Sequence, residues 1–163
     1  MAIAARWIRL DRNGPAALRA AGGGFALAQP RRAAPAVLWA PTEDGLAFTQ
    51  VVPLIYAPGR SSRWPAWALA PLIATYRQFG LRAYLDRDAV CLSGRRIAGS
   101  DAAAIGACAV VHSGFLAPQG GFMDSLRVRI ESQHGWQFDH SWPTAAESGA
   151  IAEALAGEPA DAG

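Results

Sequence analysis

Short apolar runs separated by glycine, proline and charged residues dominate the pattern of hydrophobic positions along the chain. Their length and the turn residues that bound them are typical of strands. The predicted strands are residues 3–10, 25–29, 36–38, 46–54, 81–85, 88–92 and 106–114. Apolar residues at helical spacing predict helices at residues 16–21, 64–79, 122–133 and 143–155. Pro71 lies inside the second helix and is expected to kink or split it.

Three consecutive glycines, Gly22, Gly23 and Gly24, follow the first predicted helix. Glycine just after a helix adopts the left-handed conformation of a C-cap without strain, so we expect the helix to end there in a turn. The alternative is a loop whose bare backbone approaches a phosphate. Neither Gly-x-x-x-x-Gly-Lys nor Gly-x-Gly-x-x-Gly surrounds the three residues, which favours the turn. A second turn of small residues is predicted at residues 101–105.

Composition limits the classes of function that this chain can have. It has 163 residues, of which 52% are hydrophobic and 17% charged, and its net charge is +2. All fifteen basic residues are arginines, scattered in ones and twos, so we expect no nucleic-acid partner. No apolar run reaches the roughly eighteen residues of a membrane span, and charged residues occupy the start of the chain, so we expect a cytoplasmic protein with no membrane partner. Cys91 and Cys108 lie in apolar runs and are expected to be reduced, buried thiols.

One motif points to a family. Residues 94–100 read Gly-Arg-Arg-Ile-Ala-Gly-Ser, between apolar runs at residues 88–92 and 105–111 that predict two buried strands joined by a glycine-bearing turn. The motif resembles the Gly-Arg-Lys-Ile-Ala-Gly-Ser signature of the biotin and lipoate protein ligase family. In that family the lysine reaches the carboxylate and phosphate of the acyl substrate and its adenylate, and Arg96 occupies its position here. Arginine binds such anions but does not deprotonate to act as a base.

The resemblance assigns roles to the rest of the motif. Arg96 is the implied catalytic or anion-binding group. The implied substrate-binding residues of the motif are Gly94, Arg95, Ala98, Gly99 and Ser100.

A second stretch resembles the arginine pair, glycine-rich turn and apolar strand of the same family. Arg31 and Arg32 match the pair, and the resemblance implies that they bind substrate. The turn glycines are replaced by Ala33, Ala34 and Pro35, which crowd a ligand that glycine would let the backbone enclose. The alternative is that the two arginines are ordinary solvated charges.

The strand at residues 106–114 resembles the Gly-Cys-x-x-His-Gly strand of octanoyltransferases, sisters of the ligases, in which the cysteine forms an acyl thioester. Cys108 and His112 are four residues apart here rather than three. On a regular strand they face the same side about 13 Å apart, too far for a direct pair. Cys108 is therefore a nucleophile that needs another base, or a core thiol, and His112 lines the pocket or caps the strand. No histidine has a neighbour at a spacing known for zinc, so no metal site is expected.

The resemblance implies an α/β (α+β) domain, a mixed β-sheet flanked by helices, like the catalytic domain shared by class II synthetases and biotin-lipoyl ligases. Residues 1–155 are expected to form a single such domain, shortened at its N-terminus, and residues 156–163 a disordered tail.

The implied function is to bind a lipoyl, octanoyl or biotinyl group, or to transfer it to a lysine of an acyl-carrier domain. ATP and lipoate, octanoate or biotin are the implied substrates, with no covalently bound cofactor. The alternative is a catalytically inactive ligand-binding or protein-interaction module of the same fold.

Overall fold

The computed structural model describes residues 1–10, 15–43, 45–118 and 120–157. In these residues nine strands form one sheet and four α-helices cover it. The strands are β1 (Ile3–Arg9), β2 (Ala36–Thr42), β3 (Gly45–Pro53), β4 (Tyr84–Asp86), β5 (Ala89–Leu92), β6 (Arg95–Ala98), β7 (Asp101–Ile105), β8 (Cys108–Phe115) and β9 (Trp136–His140). The helices are α1 (Pro15–Leu27), α2 (Trp64–Gln78), α3 (Phe122–His134) and α4 (Ala145–Ala156). Two short 3-10 helices, Leu54–Tyr56 and Ser61–Arg63, precede α2.

The sheet is mixed, with strand order β4-β5-β6-β8-β3-β2-β1-β9. β1 runs parallel to β2 and β9, and the remaining pairs are antiparallel. Two strands, β6 and β7, pair with the same edge of β8. β7 pairs with β8 along its length, whereas β6 meets β8 at a single residue pair, Ala98 with Phe115. The mixed sheet flanked by helices confirms the fold class that was predicted.

Two cores form because successive side chains of a strand point to opposite faces of the sheet. Cys108 and Val110 of β8 pack in the core that contains α1 and α4. Ala109 and Val111, which alternate with them, pack against Trp64 at the start of α2. The face of the sheet therefore decides which residues of β8 can share a site.

The three glycines of α1 contradict the prediction made for them. Gly22, Gly23 and Gly24 lie inside α1, which continues to Leu27, so the predicted turn and the predicted strand at residues 25–29 are wrong. The reason is close packing. A Cβ on Gly22 would overlap the side chain of Thr49 in β3, and a Cβ on Gly24 would lie 2.5 Å from the carbonyl oxygen of Ala150 in α4. Burial of one face of α1 outweighs the low helix propensity of glycine.

Two further predictions concern local structure. Residues 101–105 form the strand β7, so the predicted turn is wrong, because pairing with β8 outweighs the weak strand preference of alanine. α2 continues through Pro71 as one helix, so the predicted split into two helices is wrong. Proline removes one backbone donor, but Leu69 and Leu72 beside it are fully buried and hold the helix against the sheet. None of the described helices is long and apolar enough to cross a membrane.

Candidate functional site

The signature residues form a β-hairpin of their own. β5 and β6 pair as Leu92 with Arg95 and are joined by Ser93 and Gly94, which have φ of 54° and 77°. A two-residue turn with positive φ at both positions matches the twist of the strands, and glycine takes up that conformation without strain. Gly94 is therefore explained by the turn itself. Arg95 and Arg96 begin β6 and are both exposed.

Arg96 and Gly99 are brought into direct contact. The guanidinium of Arg96 occupies the position that a Cβ on residue 99 would take. The hydroxyl of Ser113 donates to the carbonyl oxygen of Gly99 over 2.5 Å, and that of Ser100 donates to the carbonyl oxygen of Asp88 over 2.7 Å. These contacts fix the bend between β6 and β7 and hold a positive charge beside it.

A cleft of about 500 Å³ adjoins this bend. Its lining combines three alanines of β7, the start of α2 and residues of the signature hairpin. The lining residues are Ser61, Ser62, Trp64, Pro65, Asp88, Ser100, Ala102, Ala103 and Ala104. The volume is within the usual range for small-molecule sites, and the mixture of apolar walls with a few hydroxyls is typical of them.

The N-terminus of α2 lies at the cleft, since Trp64 and Pro65 line it. No side chain caps this end of the helix. The positive end of the helix dipole favours an anion there. The helix end and Arg96, which contacts Gly99 next to the lining residue Ser100, place positive charge near the cleft, and Asp88 is the acidic residue of its lining.

The cleft and the predicted Cys–His pair lie on opposite faces of the sheet. Ala102 and Ala104, which line the cleft, are directly opposite Val111 and Ala109, on the α2 face. Cys108 packs on the α1 face and is fully buried. Burial raises the pKa of the Cys108 thiol and so disfavours the thiolate that a nucleophile needs.

His112 lies beneath α1, on the face of the sheet that holds Cys108. Its Nδ1 is 2.8 Å from the hydroxyl of Thr49, and the side chain is buried. Burial, with a further contribution from the positive charge of Arg19, lowers the pKa of His112 to about 4. The imidazole is therefore neutral at physiological pH, and the structure does not bring it to the cleft.

Arg31 and Arg32 are at the other end of the sheet from Arg96. They are exposed in the loop that leads from α1 to Ala36, the first residue of β2. Ala36 is opposite Val51, which is opposite Val110, about 17 Å along β8 from Phe115 and the signature. The two arginine motifs that the sequence placed in one site are thus separated.

Sequence reasoning missed much of the cleft wall. The sequence assigned no role to Ser61 and Ser62, which precede the predicted helix at residues 64–79, although serines before Trp-Pro are a signal for a helix start. Asp88 was taken as the beginning of a strand, and its carbonyl instead anchors Ser100. Within the described part of the chain, no group of three or more His, Cys, Asp or Glu side chains is placed to hold a metal ion.

Comparison with solved structures identifies the class of fold. The chain has the fold of the lipoate and biotin protein ligases. No family model matches it, and no curated protein sequence does.

Three solved structures illustrate the similarity. A bipartite lipoate protein ligase from Thermoplasma acidophilum, studied with its E2 lipoyl domain, has a TM-score of 0.81 at 10% identity, covering 96% of this chain and 93% of that one. A lipoate-protein ligase A bound with ATP has a TM-score of 0.76 at 11% identity, covering 96% of each chain. The biotin acetyl coenzyme A carboxylase synthetase of Helicobacter pylori, with bound biotinylated ATP, has a TM-score of 0.60 at 11% identity, covering 78% of this chain and 75% of that one.

Proposed function

We propose that this chain binds a carboxylic acid with an alkyl chain, of the lipoyl, octanoyl or biotinyl class, or its adenylate, in the cleft beside Ser100. The observation that carries the proposal is the position of Arg96, whose guanidinium rests on Gly99 next to a cleft with an apolar wall. The alanines of β7 and the ring of Trp64 suit an alkyl chain. Arg96 and the uncapped start of α2 suit its carboxylate or phosphate.

The neighbouring folds support this ligand class. Among the ligases that share this fold, one is bound with ATP, another with lipoic acid and a third with biotinylated ATP. If the ligand is also transferred, the acceptor we propose is a lysine of an acyl-carrier domain, by analogy with the Thermoplasma ligase and its E2 lipoyl domain. In that case Arg96 neutralises the oxyanion of the acyl group or its phosphate, and the acceptor amine loses its proton to a group other than Arg96.

A second candidate is a binding module of the same fold that does not catalyse transfer. The specific observation in its favour is that arginine stands at the lysine position of the signature in a chain without any lysine. Arginine stays protonated and supplies charge alone. Both candidate functions use the same cleft. They differ in whether the bound acyl group is transferred to an acceptor.

The test of binding is thermal stability with lipoate, octanoate, biotin, ATP and a non-hydrolysable acyl-adenylate analogue. A ligand at a hundredfold excess over its Kd stabilises the folded state by about 2.7 kcal/mol. We expect one ligand to do so in the parent and in Arg82→Ala, the control at an exposed arginine, and to fail in Arg96→Ala. Gly99→Ala should fail as well while remaining folded, because its Cβ displaces only the flexible end of Arg96.

The proposed site would be contradicted if a ligand stabilised Arg96→Ala as much as the parent. It would also be contradicted if none of the ligands stabilised the folded parent. The test of transfer is the mass of a lipoyl carrier domain after incubation with ATP, the acid and the protein, for the parent and for Arg96→Lys. An added acyl mass with the parent supports transfer. Ligand binding without added mass supports the inactive module.

A further inference from the structure

Three exposed aliphatic side chains project at the end of the sheet opposite the signature. Leu27 at the end of α1, and Leu54 and Ile55 after β3, have exposed fractions of 69%, 47% and 64%. They are joined through the β7–β8 turn. The amide of Leu54 donates to the carbonyl oxygen of Ala107, and a Cβ on Gly106 would lie 3.8 Å from the Cα of Leu27. We call this surface, formed by Leu27, Leu54 and Ile55 around residues 106–107, the apolar end.

The segments that build the apolar end are strongly basic. Residues 27–35, 54–63 and 106–107 contain four arginines and no carboxylate, whereas the whole chain has a net charge of only +2. The four arginines are Arg31, Arg32, Arg60 and Arg63, and all are exposed. The remainder of the chain is therefore slightly acidic, and the positive charge is concentrated in the segments that carry the exposed aliphatic residues. A mixed aliphatic and cationic surface of this kind is unusual on a protein that has no partner for it.

We propose that the apolar end binds the surface of an anionic lipid bilayer. The aliphatic side chains come from two elements, α1 and the 3-10 helix after β3, and lie at one end of the molecule, which lets them enter the boundary between headgroups and acyl chains. The exposed arginines of the same segments match the diffuse negative potential of anionic headgroups. The expectation of no membrane partner rested on the lack of a spanning segment, and a surface contact needs none.

The apolar end and Arg96 lie at opposite ends of the sheet. Ala36, which follows the loop of Arg31 and Arg32, is about 17 Å along the sheet from the signature, as the pairing of β2, β3 and β8 shows. The cleft lies between them and adjoins the apolar end, because its lining residues Ser61 and Ser62 are flanked by Arg60 and Arg63. Arg31 and Arg32 match a substrate-binding motif in the sequence. In this proposal they bind phosphate groups at a lipid surface instead.

The experiment is co-sedimentation with vesicles of phosphatidylcholine alone and of phosphatidylcholine mixed equally with phosphatidylglycerol. We expect binding to the mixed vesicles that weakens with added salt, and little binding to the neutral ones. Arg31→Gln with Arg32→Gln should weaken binding roughly fivefold for each arginine removed. Leu54→Gln with Ile55→Gln should weaken it as well. Arg82→Gln and Val128→Gln, at exposed positions outside the apolar end, serve as matched controls and should bind like the parent.

The proposal is overturned if the folded parent does not sediment with the mixed vesicles, or if the paired variants bind as the controls do. A parallel titration with a lipoyl carrier domain separates the competing explanation. The apolar end is a protein-docking surface, and the bilayer proposal is wrong, if two results are found together. The parent does not bind the vesicles, and the double variant Leu54→Gln, Ile55→Gln binds the carrier domain more weakly than the parent does.

Discussion

The three adjacent glycines of α1 should respond to the same substitution in opposite directions. Gly23→Ala adds a Cβ that lies 3.7 Å from the Cδ1 of Ile105, an ordinary contact. Gly24→Ala adds one that lies 2.5 Å from the carbonyl oxygen of Ala150 and 2.9 Å from the Cβ of Ala154. Gly22→Ala adds one that overlaps the Cγ2 methyl of Thr49. The backbone change is identical in the three cases, so the differences isolate packing.

The magnitudes follow from two competing effects. Alanine in a helix interior is favoured over glycine by about 1 kcal/mol, and Gly23→Ala should gain this in full. Overpacking in a closed core costs about 1–3 kcal/mol. For Gly24→Ala the obstacle is backbone of α4, which must move as a unit. For Gly22→Ala the obstacle is a fully buried, β-branched Thr49 whose rotation would also break its hydrogen bond to His112, worth about 1 kcal/mol. Gly24→Ala should therefore lose up to about 2 kcal/mol net, and Gly22→Ala about 1–3 kcal/mol.

Urea unfolding followed by tryptophan fluorescence measures these differences, since the chain contains six tryptophans. The midpoint should rise for Gly23→Ala and fall for the other two, with the slope unchanged. Thr49→Ser removes the obstructing methyl and keeps the hydroxyl, so it should make Gly22→Ala less costly in a double-mutant cycle. Equal stabilities for the three alanine variants would refute the close approach of α1 to β3 and α4.

Three other outcomes can be measured on the same protein. Burial alone would raise the pKa of Glu147, but hydrogen bonds from Arg6 and other donors hold it at about 2, so its stabilisation should be lost as pH falls from about 5 towards 2. Glu147→Gln should cost about 2 kcal/mol at pH 7 and flatten this acid limb, whereas the exposed Glu153→Gln should do neither. The pKa of His112 in the folded protein, about 4, is below its ordinary value of 6.5. The neutral imidazole therefore stabilises the fold above pH 6.5, and this stabilisation is lost as the pH falls towards 4. His112→Asn should reduce the slope of stability against pH between these values. The thiol of Cys108 should react with Ellman's reagent no faster than the protein unfolds, since it is fully buried with a raised pKa, and rapid labelling of the native protein would contradict the core assignment.

Strand and helix positions were predictable wherever periodicity and bounding turns agreed. β3, β8, α3 and α4 lie within one or two residues of their predicted bounds. The predictions failed where tertiary packing outweighs local preference. Gly22 to Gly24 were predicted to end the helix. They instead allow Thr49 and α4 to pack closely against α1, and the local sequence contains neither neighbour. The alanines of β7 read as a turn because the pairing that makes them a strand comes from β8.

Which candidate residues lie close together was predictable in part, for the same reason. The signature motif is local, and the structure does bring Arg96, Gly99 and Ser100 together. Motifs far apart in the sequence share a site only if the sheet register joins them. That register places Arg31 at the opposite end of the sheet and His112 on the opposite face.

β6 pairs with β8 at a single residue pair. We therefore expect the hairpin of β5 and β6, here called the leaf, to open separately from the rest of the sheet. Beyond the pairing of Ala98 with Phe115, a backbone hydrogen bond from Leu116 to Ile97 joins it to β8. Amide protons of β5 and β6 should therefore exchange with solvent faster than those of β3 and β8, which pair along their whole length. Asp88 belongs to this leaf, whereas Ser61 belongs to the body of the molecule, and both line the cleft. A molecule that fills the cleft bridges leaf and body, so slower amide exchange in the leaf is a direct report of occupancy.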